Sequence, residues 1–539
     1  MRLRLAGEVA LTAAAIAFLH LVLSLYYWLE SPSPATMLAP TWELLGLIGL
    51  IAAGGWVVSR LNLRDRGREA TIGLTVVLFA FFWLGLAQGF ARREFGYDVV
   101  LALHLPYVPE LFRMMYNAES LGMFILYTTL LGLAVALVIA GIYVAVRRVV
   151  REAMATRMRR LGIVVGVGLY AAVAIPFLGV RGPLTVVMAR QIDVAMNLEE
   201  RVGETGRSMA METAWIKRRN PFAELDHRPS IYIFIVESYG QALYTDEDFG
   251  DFPKLARESE ERLRAAGFTI RSRFVTAPVF GGSSWMSDMA LLCGVRVFNQ
   301  QRFEGLSTTN LRCLSHLLGD AGYRTVLAMP NTTRLEHKST GFLKFDQVFY
   351  RDNMEYKGPR IGWGFMPDQY TMQSIHAREI AKKKADQPLL VAIALTSSHH
   401  PWSKIPRYID DWDSIGDGKI YARQRVQQFS NSFVGGDQVK EAFLQSIEYS
   451  WKVVIEYLLR TLPDDALIVI YGDHQPRKPV ADMEGSWDVP IHILSRDPAL
   501  VERFAGHGYT PGMAPGPNEP RGGSESFLLH LFKAFSPSR

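Results

Sequence analysis

The residues best able to do chemistry in this 539-residue chain fall just after runs of aliphatic side chains. Glu237 follows the run 231–236, Thr396-Ser397-Ser398-His399-His400-Pro401 follows 389–395, and Gly472-Asp473-His474 follows 466–471. If these runs are strands of a parallel sheet, ligands collect at their carboxyl ends, where the loops open a crevice. Glu237, Asp473 and His474 offer oxygen and nitrogen donors that suit a divalent metal, Zn or Mn. Each alone would read as a solvated or capping residue; three converging strand ends favour a metal site. A nucleophile is available in 278–289, Pro-Val-Phe-Gly-Gly-Ser-Ser-Trp-Met-Ser-Asp-Met. Its two glycines let the backbone turn, and the residues after them read as the start of a helix. Serine at a helix N-terminus sits in positive potential, which favours both its alkoxide and an incoming phosphate. The competing reading makes Ser283 or Ser284 an N-cap, and on this segment alone that reading is the stronger.

Such strand ends need a scaffold, and 229–539 supplies one. Short apolar runs at 231–236, 325–329, 389–395 and 466–471 alternate with helical patterns at 253–266, 310–321, 369–383 and 437–462. This alternation predicts βαβ units and a mostly parallel, buried sheet. The Pro- and Gly-rich stretch 510–523 predicts an irregular loop before a last helix at 525–535. Ahead of this domain, 182–228 reads as a linker, with helical spacing over 186–215.

Residues 1–181 have a different character. Five apolar runs, at 9–28, 41–58, 71–89, 121–146 and 161–178, approach or exceed the ~20 residues that cross a bilayer. Soluble core helices seldom stay apolar on every face for so long. The first run is expected to stay as a span, being longer than a signal-peptide core and leading to no small-residue cleavage site. Arginines set the orientation: Arg2 and Arg4, then Arg60 to Arg68, then Arg147 to Arg160 mark loops held in the cytoplasm. Five spans with the N-terminus inside place 229–539 outside. Arg92, Arg93 and Arg113 fall on the outer side, in 90–119, which reads as an interfacial segment. Net charge is +5, with no lysine before Lys217. Since the arginines flank apolar runs, the charge points to a membrane surface and not to nucleic acid. The only cysteines, Cys293 and Cys313, leave a disulfide and two buried thiols equally open.

Taken together and in this order, these segments resemble the alkaline phosphatase and sulfatase superfamily. The resemblance is to its membrane-anchored branch of lipoteichoic acid synthases, phosphoglycerol transferases and lipid A phosphoethanolamine transferases. It rests on Val236-Glu237-Ser238-Tyr239-Gly240, on Tyr471-Gly472-Asp473-His474, and on Ser284 with Ser287 three residues later and Cys293-Gly294 beyond. Further landmarks are Ser398-His399-His400-Pro401-Trp402, Gly322-Tyr323-Arg324-Thr325, and Trp363-Gly364 with Asp368. The resemblance implies an N-terminal bundle of about five spans and a C-terminal α/β sulfatase-like domain. It makes Ser284, in place of the family's usual Thr, both nucleophile and metal ligand beside Glu237, Asp473 and His474. His399 then contacts the substrate phosphate or protonates a leaving group, and His400 and Trp363 are candidates to line the substrate site. The lipoteichoic acid synthases hold substrate with a Trp-Asn-Arg segment that has no match here; Arg334 and His337 are the nearest polar candidates. Sulfate-ester chemistry is disfavoured, because the Cys/Ser-x-Pro-x-Arg motif that generates formylglycine is absent at 284–288.

The resemblance thus implies an enzyme of the bacterial cytoplasmic (inner) membrane with its catalytic domain on the periplasmic side. It would move phosphoglycerol or phosphoethanolamine from a phospholipid donor to a glycan or glycolipid acceptor through a phospho-serine. A hydrolase of the same fold, or a catalytically silent membrane sensor, are the alternatives, and no residue in the sequence separates transfer from hydrolysis.

Overall fold

The computed structural model describes residues 2–60, 67–109, 112, 116, 121–180, 184–217, 220–225, 227–333, 338–362, 365–423, 427–428, 437–461, 465–516 and 522–536. They divide into two compact units, Met1–Arg93 with Tyr97–Leu198, and Glu94–Gly96 with Glu199–Arg539.

The first unit is helical: α1 Arg2–Glu30, α2 Trp42–Arg60, α3 Gly67–Phe95, α4 Leu121–Ala155, α5 Arg157–Leu178 and α6 Leu184–Met196. Four of these, α1, α3, α4 and α5, contain stretches long and apolar enough to cross a membrane. Among the described residues α2 contributes only a shorter apolar stretch, Trp42–Gly54, so four such helices stand where the sequence predicted five spans. Leu19, Ile142, Val146 and Val149 are fully buried, whereas Leu137 and Phe177 face outward, the pattern of apolar helices packed together with lipid beyond them. Arg148 donates to the Glu8 carboxylate and, at 3.1 Å, to Thr12 Oγ1. The predicted linker helix is two helices, α6 and α7 Leu198–Glu212, parted by a turn at Asn197.

The second unit is built on a sheet of eight strands. In chain order the strands are β1 Ile231–Val236, β2 Thr269–Thr276, β3 Arg324–Met329, β4 Gln347–Tyr350, β5 Leu389–Leu395, β6 Lys404–Ile405, β7 Gln427–Gln428, β8 Leu467–Gly472, β9 Asp488–Ser495 and β10 Thr510–Pro511. The eight run in the order β10-β2-β9-β8-β1-β5-β3-β4, while β6 and β7 form a separate pair. From β8 to β4 the pairing is parallel, and β9, β2 and β10 add an antiparallel edge. Four of the parallel strands, β1, β3, β5 and β8, match the predicted aliphatic runs, whereas the short edge strand β4 was not predicted. The antiparallel strands also escaped prediction: Arg271-Ser272-Arg273 interrupts β2, and β9 carries Pro490, residues that read locally as loop.

Every residue of β1 is buried, which requires cover on both faces. Successive side chains point to opposite faces. Ile231, Ile233 and Ile235 join a core built with α9 Ser284–Cys293 and α12 Ser526–Phe535. Tyr232, Phe234 and Val236 join the other, built with α8 Phe252–Ala265 and α11 Asp437–Thr461. The result is a three-layer sandwich with β1 at its centre.

Candidate active site

Strand register sets the site. Val236 pairs with Gly472 on one side and Leu395 on the other, so the next residues, Glu237, Asp473 and Thr396, leave the sheet at the same level. Gly472 is what lets β1 and β8 converge there. A Cβ at that position would lie 1.8 Å from the Tyr239 carbonyl oxygen, inside any allowed contact. Just past β1, Ser238 takes the left-handed conformation, φ 58°, and its N–H donates to Asp473 Oδ1 at 2.7 Å. A non-glycine residue there is strained, and such strain tends to gather at functional sites.

Ser284 arrives from the opposite direction. Gly281 and Ser283 both have left-handed φ, and this turn delivers Ser284 as the first residue of α9. Ser283 occupies the N-cap position, but its side chain does not cap the helix. The Ser284 hydroxyl donates to Glu237 Oε2 at 2.9 Å and lies 3.2 Å from His474 Nε2. Ser287, one turn on, holds α9 against β8: its Oγ bonds to the Tyr471 hydroxyl at 2.7 Å and donates to the Asp473 carbonyl at 2.5 Å.

Ligand atoms of Glu237, Asp473 and His474 all lie within 4.8 Å of one another, and all three residues are buried. His474 Nδ1 is 2.8 Å from the Gln475 carbonyl, which can only accept, so Nδ1 carries the proton and Nε2 points inward. That Nε2 lies 3.2 Å from Glu237 Oε1 and 3.7 Å from Asp473 Oδ2. A lone pair facing two carboxylates at such range needs a positive charge between them. In the protein alone protons fill this need. Burial works against the charged imidazole, but Asp473 and Glu237 outweigh it and push His474 up to about 9. Burial and the charge of Glu237 push Asp473 above the usual carboxylate range. Burial also opposes the Glu237 carboxylate, yet the hydrogen bond and charge of His474 hold it below that range. Two carboxylates and an imidazole lone pair aimed at one point, with Ser284 Oγ beside them, fit a divalent cation.

The loop after β5 brings His399 alongside. Asp368, at the start of α10 Asp368–Ile375, accepts from the Thr396 and Ser397 N–H groups at 2.7 and 2.9 Å and from Ser450 Oγ at 2.6 Å. Ser398 Oγ donates to the Glu237 carbonyl at 2.7 Å, and Trp402 Nε1 donates to the Ser398 carbonyl at 2.6 Å. His399 Nδ1 donates to the His400 carbonyl at 2.5 Å, so its Nε2 is the accepting nitrogen. Burial lowers His399 despite the opposing pull of Glu237, and burial with the charge of Arg477 lowers His400 to about 3. Burial thus favours the neutral imidazole at both, the form in which His399 Nε2 can accept a proton.

The structure thus gathers Glu237, Ser284, Asp473 and His474 at one point, with His399 close enough to feel the Glu237 charge. Arg334, His337 and Trp363 lie outside the described residues. Two residues near the site were not singled out from the sequence. Arg477 acts electrostatically on both His399 and His400. Asp288 is buried within reach of the Asp473 and Glu237 charges, and its spacing of four from Ser284 was the available signal. Cys293, at the end of α9, is bonded to Cys313.

Residues 284–500 match the family model described as Sulfatase. Solved structures similar to the chain include the lipoteichoic acid synthase LtaP from Listeria monocytogenes, at 14% identity over 57% of this chain and 74% of that one, with a TM-score of 0.35. Another is the integral membrane protein lipooligosaccharide phosphoethanolamine transferase A from Neisseria meningitidis, at 12% identity over 97% and 96%, with a TM-score of 0.47. A third is the Streptococcus pyogenes phosphoglycerol transferase GacH in complex with sn-glycerol-1-phosphate, at 12% identity over 62% and 81%, with a TM-score of 0.34. No curated protein matches. Residues 284–500, which carry Ser284, His399, Asp473 and His474, thus form a Sulfatase-family region of the chain.

Proposed function

We propose that this protein transfers a phosphorylated headgroup, phosphoglycerol or phosphoethanolamine, from a membrane phospholipid to a glycan or glycolipid acceptor. The observation that carries the reading is the Ser284 hydroxyl, 2.9 Å from Glu237 and 3.2 Å from His474, at the edge of a buried carboxylate and imidazole cluster. Glu237, Ser284, Asp473 and His474 would hold a divalent cation, Zn or Mn, whose charge would make the serine hydroxyl more acidic and offset that of a phosphate. Ser284 Oγ attacks phosphorus, the bond from phosphorus to the diacylglycerol oxygen breaks, and the proton lost by Ser284 is balanced by one gained on that oxygen. The acceptor hydroxyl then attacks phosphorus, the bond from phosphorus to Ser284 Oγ breaks, and the proton lost by the acceptor is balanced by one regained on Ser284 Oγ. His399 suits this second step, since its accepting Nε2 can take the acceptor's proton. Arg477 adds positive charge near His399 and His400, where a phosphate's oxygens would gather. The same-family sulfatase reaction is the weaker reading, because Met286 and Asp288 stand where the formylglycine motif needs Pro and Arg.

The four apolar helices suit a lipid donor, whose diacylglycerol product stays soluble only in the bilayer. The Cys293–Cys313 bond suits an oxidising compartment and, with the arginine pattern, supports a catalytic unit outside the bacterial cytoplasmic membrane. Purified full-length protein given labelled phosphatidylglycerol or phosphatidylethanolamine, with and without a glycan acceptor, tests the function. Label should move to the acceptor; headgroup release at the same rate without acceptor would mean hydrolysis.

A further inference from the structure

Between Asp488 and Ser495, the ends of β9, His492 is the only polar residue. It is fully buried, with the rings of Tyr239 and Trp451 at 5.8 and 5.9 Å between centroids. A buried imidazole is costly unless its nitrogens are hydrogen-bonded, and here both are. Nδ1 lies 2.6 Å from Ser272 Oγ, and Nε2 lies 2.9 Å from the Tyr239 hydroxyl. The directions of these bonds follow from one acceptor. Ser272 Oγ donates to the Gly512 carbonyl at 2.5 Å, so it must accept from Nδ1–H, which leaves the lone pair on Nε2. Nε2 therefore accepts from the Tyr239 hydroxyl, whose oxygen accepts in turn from the Tyr244 hydroxyl at 2.5 Å. Burial pushes His492 down to about 3, which keeps the ring neutral and this order intact.

The chain of bonds anchors the backbone that runs between two strand ends. Tyr239 stands two residues past Glu237, and its carbonyl oxygen is 1.8 Å from where a Cβ on Gly472 would lie, directly ahead of Asp473 and His474. Ser238, between Glu237 and Tyr239, donates its N–H to Asp473 Oδ1 at 2.7 Å. A displacement of Tyr239 would therefore move Glu237 relative to Asp473 and His474. Since β8 lies between β1 and β9, the bond from Tyr239 to His492 reaches past β8 to the next strand. Apolar rings would fill the same space, but a fully satisfied polar network also fixes where the Tyr239 ring stands along its own axis.

We propose that His492 is a positioning residue of the active site: by fixing the Tyr239 phenol it sets the separation of Glu237 from Asp473 and His474. The inference rests on the metal-dependent reading of that cluster, and it gives the antiparallel strand β9 a part in holding the ligands.

The test uses full-length protein in detergent, stripped with a chelator and titrated with MnCl₂ or CoCl₂ alone. Mn²⁺ affinity is read by competition with a metal indicator, ligand geometry by the visible absorption of bound Co²⁺, and stability by metal-free thermal unfolding. Tyr239→Phe removes one hydroxyl. His492→Asn keeps a donor for Ser272 but no acceptor that reaches Tyr239, whereas His492→Gln returns an acceptor near the position of Nε2. Tyr239→Phe and His492→Asn should each weaken Mn²⁺ binding about 10-fold, as loss of a group supporting a metal's ligands does, and shift the Co²⁺ spectrum alike. Combined, they should cost no more than the larger single loss, because both break the same bond. His492→Gln should stay within about threefold of wild type. Wild-type affinity and spectrum in Tyr239→Phe would overturn the inference, and a lower metal-free melting temperature beside them would mark a packing role only. Losses that add in the double variant would also overturn it, since His492 would then act by a route other than Tyr239. Glu237→Gln separates the two levels: if it loses metal while the Tyr239 and His492 variants do not, this inference alone falls. If wild type takes up neither cation, the metal reading falls and the inference with it.

Discussion

Ser284 and Ser283 are adjacent serines with different environments. Ser284 Oγ reaches Glu237 and His474, while Ser283 spends its backbone on the left-handed turn that makes this approach. Ser284→Ala should therefore lower headgroup transfer by ~10³-fold or more, the scale on which lost nucleophiles are felt, while Ser283→Ala keeps measurable activity. Intact-mass analysis of the protein with each lipid should show a phosphoglycerol or phosphoethanolamine adduct that Ser284→Ala abolishes; an adduct surviving on that variant would remove Ser284 from the role. Asp368 is a residue of a different kind, set to position the His399 loop. Burial raises its carboxyl to about 6 from an ordinary 3.8, against the opposing hydrogen bonds from Ser450 and the loop. The folded protein thus binds this proton more tightly than the unfolded chain. Asp368 favours folding fully below about pH 3.8, and that contribution is lost as pH rises through about 6. Above pH 6 the ionised group costs on the order of 3 kcal/mol. Asp368→Asn keeps the shape and an accepting oxygen, so it should raise the melting temperature at pH 7 and flatten its pH dependence between pH 4 and 6. An unchanged slope would mean that another group sets it.

At the scale of elements, the site depends on β1, β8 and the start of α9 meeting at one height. Gly472→Ala places a methyl against the Tyr239 carbonyl and must part β1 from β8. The expected result is a folded protein at best several degrees less stable, with metal affinity lost along with activity. Wild-type metal uptake in that variant would show that the strand ends tolerate separation. The Cys293–Cys313 bond ties the end of α9 to the start of helix Leu314–Asp320, closing a loop with a sequence separation of 20. By loop entropy, replacing both cysteines with serine should cost about 3 kcal/mol, read as a lower unfolding midpoint in denaturant. The aliphatic strands could be read from the sequence because burial on both faces demands unbroken apolar runs. β9 is buried throughout and β2 over most of its length, yet their apolar runs are broken. Their Arg271, Arg273 and Pro490 are accommodated by partners far along the chain, such as Glu502 for Arg271, and a local window contains no trace of them.

For the whole molecule, parity of the spans decides which side of the membrane carries the chemistry. Four crossings would leave both termini on one side; a fifth, through α2, would separate them. Our reading of arginine placement requires the fifth. Single cysteines placed near the N-terminus and in an exposed loop of the second unit, tested in intact cells with a membrane-impermeant thiol reagent in a Cys293→Ser, Cys313→Ser background, should label only in the second unit. Labelling of neither would put that unit in the cytoplasm and remove the access to an outer-face acceptor that the proposed reaction needs.

The sequence by itself determined the apolar helices, four of the parallel strands and the chemistry-bearing residues at their ends, because periodicity and residue type are local properties set by burial and by donor chemistry. It placed Glu237, Asp473 and His474 at strand ends, yet gave no distance between them. Only the tertiary structure decided that Val236, Gly472 and Leu395 share a register, that Ser284 reaches Glu237 and His474, and that Cys293 is bonded to Cys313. Those relations join residues tens to hundreds of positions apart. They arise from how strands pair and helices cover them, which no local pattern encodes.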